Sequence, residues 1–213
     1  MKVVAIIPAR AGSERLPKKN RLELAGLPLI NWSINFAKKI KFVDDIIVST
    51  NDSVIVKKNK RDKFIKIFKR SKSLSGKNVK TLDVIFDTVN RYENHFDKIE
   101  TILLLQVTSP FRSIKKLYYA YRKYKKYNKK KSIISVTRSK KKNFFYKPNG
   151  NFYIASKVFL KKYRSFNLKK KTYPIILKQG YLSVDIDTKN DFIKAKSYLE
   201  NNSLKKKFIN FNV

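Results

Sequence analysis

Apolar residues fall in short dense runs and in wider-spaced stripes, and the two patterns take turns along the chain. The runs at Lys2–Ala9 (KVVAIIPA), Asp45–Thr50 (DIIVST), 64–70, 100–106 (ETILLLQ) and Ser132–Arg138 (SIISVTR) read as strands buried on both faces. Between them, residues 28–41, 81–92 and 113–128 repeat apolar side chains at helical spacing, with Leu29, Trp32, Phe36 and Ile40 marking the first stripe. A weak helix is expected over 52–60, short strands at 151–155 and 174–177, and a closing helix over 189–201 reached through 182–186. The tail after Ser203 is expected to fray. Strand alternating with helix predicts an α/β domain whose central sheet is mostly parallel and covered on both faces. Ligands of such sheets sit beyond the carboxyl ends of the strands.

The length, 213 residues, suits one domain, and 42% apolar residues can fill a core. With no Cys and only His95, thiol chemistry and multi-histidine metal centres are excluded. No apolar run reaches the roughly 20 residues that span a bilayer, so a soluble cytoplasmic protein is expected. The formal charge is +36, from 51 Lys and Arg against 15 Asp and Glu. Non-specific attraction to polyanions is expected of such a field. Only 10 of the 51 are Arg, the side chain suited to bidentate phosphate and base contacts, so a dedicated nucleic-acid-binding module is the lesser alternative.

Three segments carry candidate chemistry. The first, IPARAGSERLPKKN, follows the first strand. Its turn can aim the backbone N–H groups of Ala11, Gly12 and Ser13 at a phosphate, and Arg10, Arg15, Lys18 and Lys19 can neutralise a triphosphate. It matches neither a Walker A loop nor GxGxxG, and an ordinary basic loop would look similar. The second, LLQVTSPFR, puts Gln106, Thr108, Ser109 and Arg112 at the end of the central strand, where Gln and Thr can read a base edge or a sugar hydroxyl. A strand end followed by a capping Ser fits the same letters. In the third, SVDIDTKNDF, Asp185 and Asp187 alternate, so an extended backbone turns both carboxylates to one side. The pair can hold Mg²⁺ through oxygen, and Asp187 can alternatively cap the closing helix.

In this order, and joined by Asn149-Gly150-Asn151-Phe152-Tyr153, the segments resemble the acylneuraminate (sialic-acid type) cytidylyltransferases from Val3 to about Leu199. The resemblance implies a Rossmann-like nucleotide-diphospho-sugar transferase sandwich, with a short sugar-side and dimerisation element at about 139–180 and a basic tail at 203–213. It implies CTP and an acidic 2-keto sugar (sialic, legionaminic or pseudaminic type) as substrates, a CMP-sugar and pyrophosphate as products, and a homodimer. A Kdo-type acceptor is the alternative on the same fold. Implied roles are catalysis for Arg10, Lys19 and Asp187. Nucleotide binding falls to Ala11, Gly12, Ser13, Arg15, Asn20, Lys80 and Thr81, and sugar or ribose contact to Gln106, Thr108, Ser109, Asn149 and Gly150. Asp185 and Asp187 are the implied Mg²⁺ ligands. The chain departs from the family pattern at Glu14 (often Lys), Asn51 (usually Asp) and Lys77 (often Asp). It is also short between Thr137 and Asn149, where Lys140 to Lys142 or Lys147 could take a sugar carboxylate.

Overall fold

The computed structural model describes residues 1–138 and 146–200, together with Leu204 and Phe208. Seven strands form the central sheet: β1 (Lys2–Ala9), β4 (Asp45–Thr50), β5 (Ile65–Lys69), β6 (Ile99–Leu104), β7 (Ser132–Arg138), β8 (Tyr146–Ser156) and β9 (Thr172–Ile176). Their order is β5-β4-β1-β6-β8-β7-β9. β1 pairs in parallel with β4 and β6, β4 with β5, and β7 with β9. Only β8 runs against its neighbours β6 and β7. The expected mostly parallel sheet is therefore present, with one reversed strand in its middle.

Helices α1 (Leu29–Lys38), α2 (Ser53–Asn59), α3 (Thr81–Glu93), α4 (Ile114–Lys126), α5 (Lys157–Tyr163) and α6 (Lys189–Glu200) cover the sheet. Two apolar clusters result, one on each face. Trp32, Phe111, Leu117 and Tyr124 belong to the first, and Ile85, Val89, Ile102 and Phe159 to the second. Asp52 caps α2 by accepting from the N–H groups of Val54 and Ile55, and Ser113 and Ser156 cap α4 and α5 in the same way.

Several expectations are corrected. β8 spans Tyr146–Ser156 rather than 151–155. Its outer half pairs with the end of β7 through Pro148, Lys147 and Tyr146, residues whose mixed character hides the strand. α5 has only seven residues, too few for a periodic signal. A two-residue hairpin, β2 (Glu23–Leu24) and β3 (Leu27–Pro28), precedes α1, and Ala25 and Gly26 both turn at positive φ. Of the element expected at about 139–180, residues 146–180 run as β8, α5 and β9 within the sheet and its cover, and 139–145 lie outside the described residues. The tail does more than fray. Phe208 is buried against Trp32, Phe111 and Tyr181, so burial of its ring offsets the ordering entropy that a basic tail alone could not. Lys205 to Lys207 lie outside the described residues.

The sheet grows to one side of β1 through β4 and β5, then crosses to the other side at β6. The carboxyl ends of β1 and β6 therefore flank the point where the winding reverses, the place where open α/β sheets bind ligands.

Candidate active site

A cleft of about 370 Å³ opens at that point. Arg10, Ser13, Lys19 and Asn20 reach it from the loop after β1, Thr81 from the start of α3, Gln106 and Thr108 from the end of β6, and Asp185 and Asp187 from the segment before α6. Pro8, Val79, Val84 and Val107 add apolar lining. Residues 168 and 172 positions apart thus meet: Lys19 Nζ donates to Asp187 Oδ1 at 2.8 Å, and Arg15 Nη2 to Asp187 Oδ2 at 3.0 Å.

The acidic pair is held in place by backbone. Ile186 is buried, and its N–H donates to the Thr108 carbonyl at 2.7 Å, which turns the flanking Asp185 and Asp187 into the cleft. Partial burial pushes the Asp185 carboxyl pKa up. The Thr108 hydroxyl pulls it down, and the Asp187 charge adds to the rise. Asp187 does not cap α6. Thr188 Oγ1 does so, accepting from the Asp191 N–H at 3.2 Å, while Asp191 Oδ2 accepts back from the N–H groups of Asp187 and Thr188 at 3.1 and 2.8 Å.

The opening turn is arranged differently from its expected form. The Ala11 N–H already donates to Asn51 Oδ1 at 2.8 Å, and the Ser13 N–H to the Ala11 carbonyl at 2.9 Å. Of the three amides, Gly12 is left without an acceptor among the described residues. Asn51 thus serves as the turn's anchor, a task its carboxamide oxygen performs as well as a carboxylate would. Asn20 is buried and donates to the Arg10 carbonyl at 2.8 Å, so it shapes the loop as well as lining the cleft.

Other expected site residues lie apart from the cleft lining. Lys80 lines a neighbouring depression with Ser73, Asp83 and Arg164. Ser109 and Asn149 are buried and bonded to each other, Ser109 Oγ donating to the Asn149 carbonyl at 2.9 Å. Asn149 Oδ1 accepts from Ser135 Oγ at 2.6 Å and from the Asn151 N–H at 3.2 Å. They brace the wall from behind. Gly150 explains its own identity: φ is +75°, and a Cβ would lie 2.4 Å from Gln106 Oε1 and 2.7 Å from Ser109 Oγ.

Two arginines carry more than the motifs indicated. Arg70, at the carboxyl end of β5, lines the cleft while Nη2 donates to the Ser49 carbonyl at 2.9 Å. Burial, and then the neighbouring Arg10 charge, lower its pKa to about 10. Its position at a strand end on the ligand rim was the available signal. Arg112 is 4% exposed and donates to the Asn151 carbonyl (2.8 Å), Ser33 Oγ (3.1 Å) and the Gln106 carbonyl (2.5 Å). Its partners are neutral, and burial lowers its pKa to about 9.

Among the described residues no group of three or more His, Cys, Asp or Glu gathers as a metal site. Two carboxylates whose remaining coordination must come from water or a ligand suit Mg²⁺, which typically takes one or two carboxylates plus substrate phosphates. That Asp187 already accepts from two cationic side chains shows that the position attracts positive charge. Among the described residues no helix is long and apolar enough to cross a membrane.

The CMP-N,N'-diacetyllegionaminic acid synthase of Legionella pneumophila is 30% identical, over 95% of this chain and 98% of its own. An N-acylneuraminate cytidylyltransferase of Streptococcus agalactiae is 29% identical over 93% of this chain, which spans about half (54%) of that longer protein. In fold, a CMP:2-keto-3-deoxy-manno-octonic acid synthetase solved with CTP superposes with a TM-score of 0.70 at 13% identity, covering 95% of this chain and all (100%) of that one. The family model described as cytidylyltransferase matches residues 4–205, and the chain belongs to that family.

Proposed function

We propose that the protein activates an acidic 2-keto sugar of the nonulosonic type with CTP, giving a CMP-sugar and pyrophosphate. The observation that carries this reading is the meeting of the basic opening loop and the paired aspartates in one cleft, with Lys19 Nζ 2.8 Å from Asp187. A basic loop alone would fit any anion. Carboxylates set within it fit a nucleotide whose phosphates bring a cation. The legionaminate and acylneuraminate relatives support the sugar class.

In the proposed reaction the sugar's anomeric hydroxyl attacks the α-phosphorus, and the bond to the β-phosphate oxygen breaks. Such chemistry rests on positioning and charge neutralisation rather than on a covalent intermediate. Arg10 and Lys19 would hold the phosphates. Ser13 and the Gly12 N–H would complete the cradle, and Thr81 and Arg70 would face the nucleoside. Gln106 and Thr108 present hydrogen-bonding groups towards the acceptor side. Lys147, exposed at the start of β8 and within electrostatic reach of Asp185, is placed to attract the sugar's carboxylate. Mg²⁺, held by Asp185 and Asp187, would supply further charge neutralisation at the phosphates.

Pyrophosphate release from CTP across a panel of nonulosonic acids and Kdo tests the proposal. Release dependent on CTP, a divalent ion and a nonulosonic acid is expected, and its absence across the panel would refute the reading. Asp187→Ala should cut turnover by about a thousand-fold or more, the scale of a lost charge-stabilising group, with the circular dichroism unchanged.

A further inference from the structure

Both carboxylate oxygens of Asp187 are in use in the ligand-free protein. Oδ1 accepts from Lys19, whose side chain is 14% exposed, and Oδ2 from Arg15, whose side chain is 70% exposed. Asp185, two residues away, pairs with no cation among the described residues. A free divalent ion arriving at this pair therefore finds one of its two carboxylates occupied twice over. A nucleotide arriving at the same cleft offers Lys19 and Arg15 phosphate oxygens of higher charge than a carboxylate.

We propose that Arg15 and Lys19 are placeholder cations. They keep Asp187 closed to a free divalent ion and release it when a triphosphate draws them away, so that the metal enters with the nucleotide rather than before it. The proposal rests on the CTP-dependent reading above. It also gives the loop a reason for its letters. Arg15 is long and exposed at the surface, suited to exchanging one anion for another, whereas Lys19 is packed and would change partner over a short distance. Glu14, next to Arg15, is exposed and has no ion pair among the described residues, so it does not compete for the same guanidinium.

The test is Mn²⁺ binding followed by water proton relaxation, which reads the metal and not turnover. Without nucleotide, Arg15→Gln should bind Mn²⁺ about three- to five-fold more tightly than the unaltered protein, the range that one exposed ion pair allows. Lys189→Gln removes an equal charge two residues from Asp187 where no ion pair is made among the described residues, and should shift affinity less than two-fold, within about 0.4 kcal/mol. In an Asp187→Asn background the gain from Arg15→Gln should vanish. Equal gains from Arg15→Gln and Lys189→Gln, or a gain that survives Asp187→Asn, would overturn the placeholder role as a mere field effect. Adding CTP to the unaltered protein should produce the relaxation enhancement of a protein–Mn²⁺–CTP complex. Its absence would overturn the CTP reading and the handover with it, while the metal-only arms still report whether the clamp exists.

Discussion

On the β1 side of the cleft, Arg10, Lys19 and Asp187 face the open space, and Lys19 and Arg15 hold Asp187 by ion pairs that a ligand can replace. On the side formed by β6 and β8, Ser109, Arg112, Asn149 and Asn151 are buried and bonded among themselves, with Arg112 tying the end of β6, strand β8 and helix α1 together. One wall is an exchangeable charge set. The other is a fixed polar frame that presents Gln106 at its surface. A site that must first collect a highly charged nucleotide and then align a second substrate gains from both. Loosely committed charges admit the first ligand, and a stiff wall limits how the second can sit.

The contrast predicts that changes to the fixed wall cost stability while changes to the charged wall cost little of it. Arg112→Met is the severest case. It leaves three acceptors without their donor, and although it removes a buried cation, unfolding free energy should fall by about 3 kcal/mol in chemical denaturation. Were the protein to keep its stability, the frame would be less essential than its hydrogen bonds imply. Gly150→Ala comes next. The strained φ and the close approach to Gln106 should cost about 2 kcal/mol and raise KM for the sugar more than for CTP. An equal rise for both would mean that Gly150 serves the cleft as a whole.

The smallest effect belongs to the charged wall and has the opposite sign. Asp185 has a raised folded pKa, so above that pKa its ionised form destabilises the fold. Asp185→Asn should therefore raise Tm at neutral pH by about 2 °C while abolishing metal binding. Acid acts elsewhere. Burial pushes the Asp45 carboxyl up, but hydrogen bonds from Lys66 and Tyr92 bring it below its usual range; Glu93 is likewise buried yet lowered by Lys157 and the Ile99 N–H. Groups with lowered folded pKa stabilise above their unfolded values and lose that contribution as pH falls through the folded ones. Thermal stability should thus drop below about pH 4, with the Asp45→Asn variant showing a shallower decline.

Much of this was legible in the letters because alternation and motif position are local properties. Lys2–Ala9, Asp45–Thr50 and Ser132–Arg138 match their strands end for end, since strands covered on both faces show as short dense apolar runs. Asp185 and Asp187 share the cleft because an extended backbone alternates its side chains. What stayed hidden depends on contacts between distant segments. No local pattern announces that Ser109 and Asn149 bond to each other rather than face a ligand, or that Ala11 spends its N–H on Asn51. Arg112 reads as a cation at the ligand edge until the three carbonyl and hydroxyl oxygens that bury it in the wall are seen. Phe208, in a tail of lysines, could be placed only by the aromatic hollow that Trp32 and Phe111 leave for it.

The reversed direction of β8 has a consequence for how such a protein diversifies. Parallel strands return to the far rim before starting again, so their connections leave the ligand side. Because β8 runs backwards, β7 ends at Arg138 and β8 begins at Tyr146 on the same rim. Residues inserted or lost between these two strand ends change that rim while the loop after β1, encoded far upstream, stays untouched. A lineage can in this way reshape one edge of its cleft by editing a single strand connection.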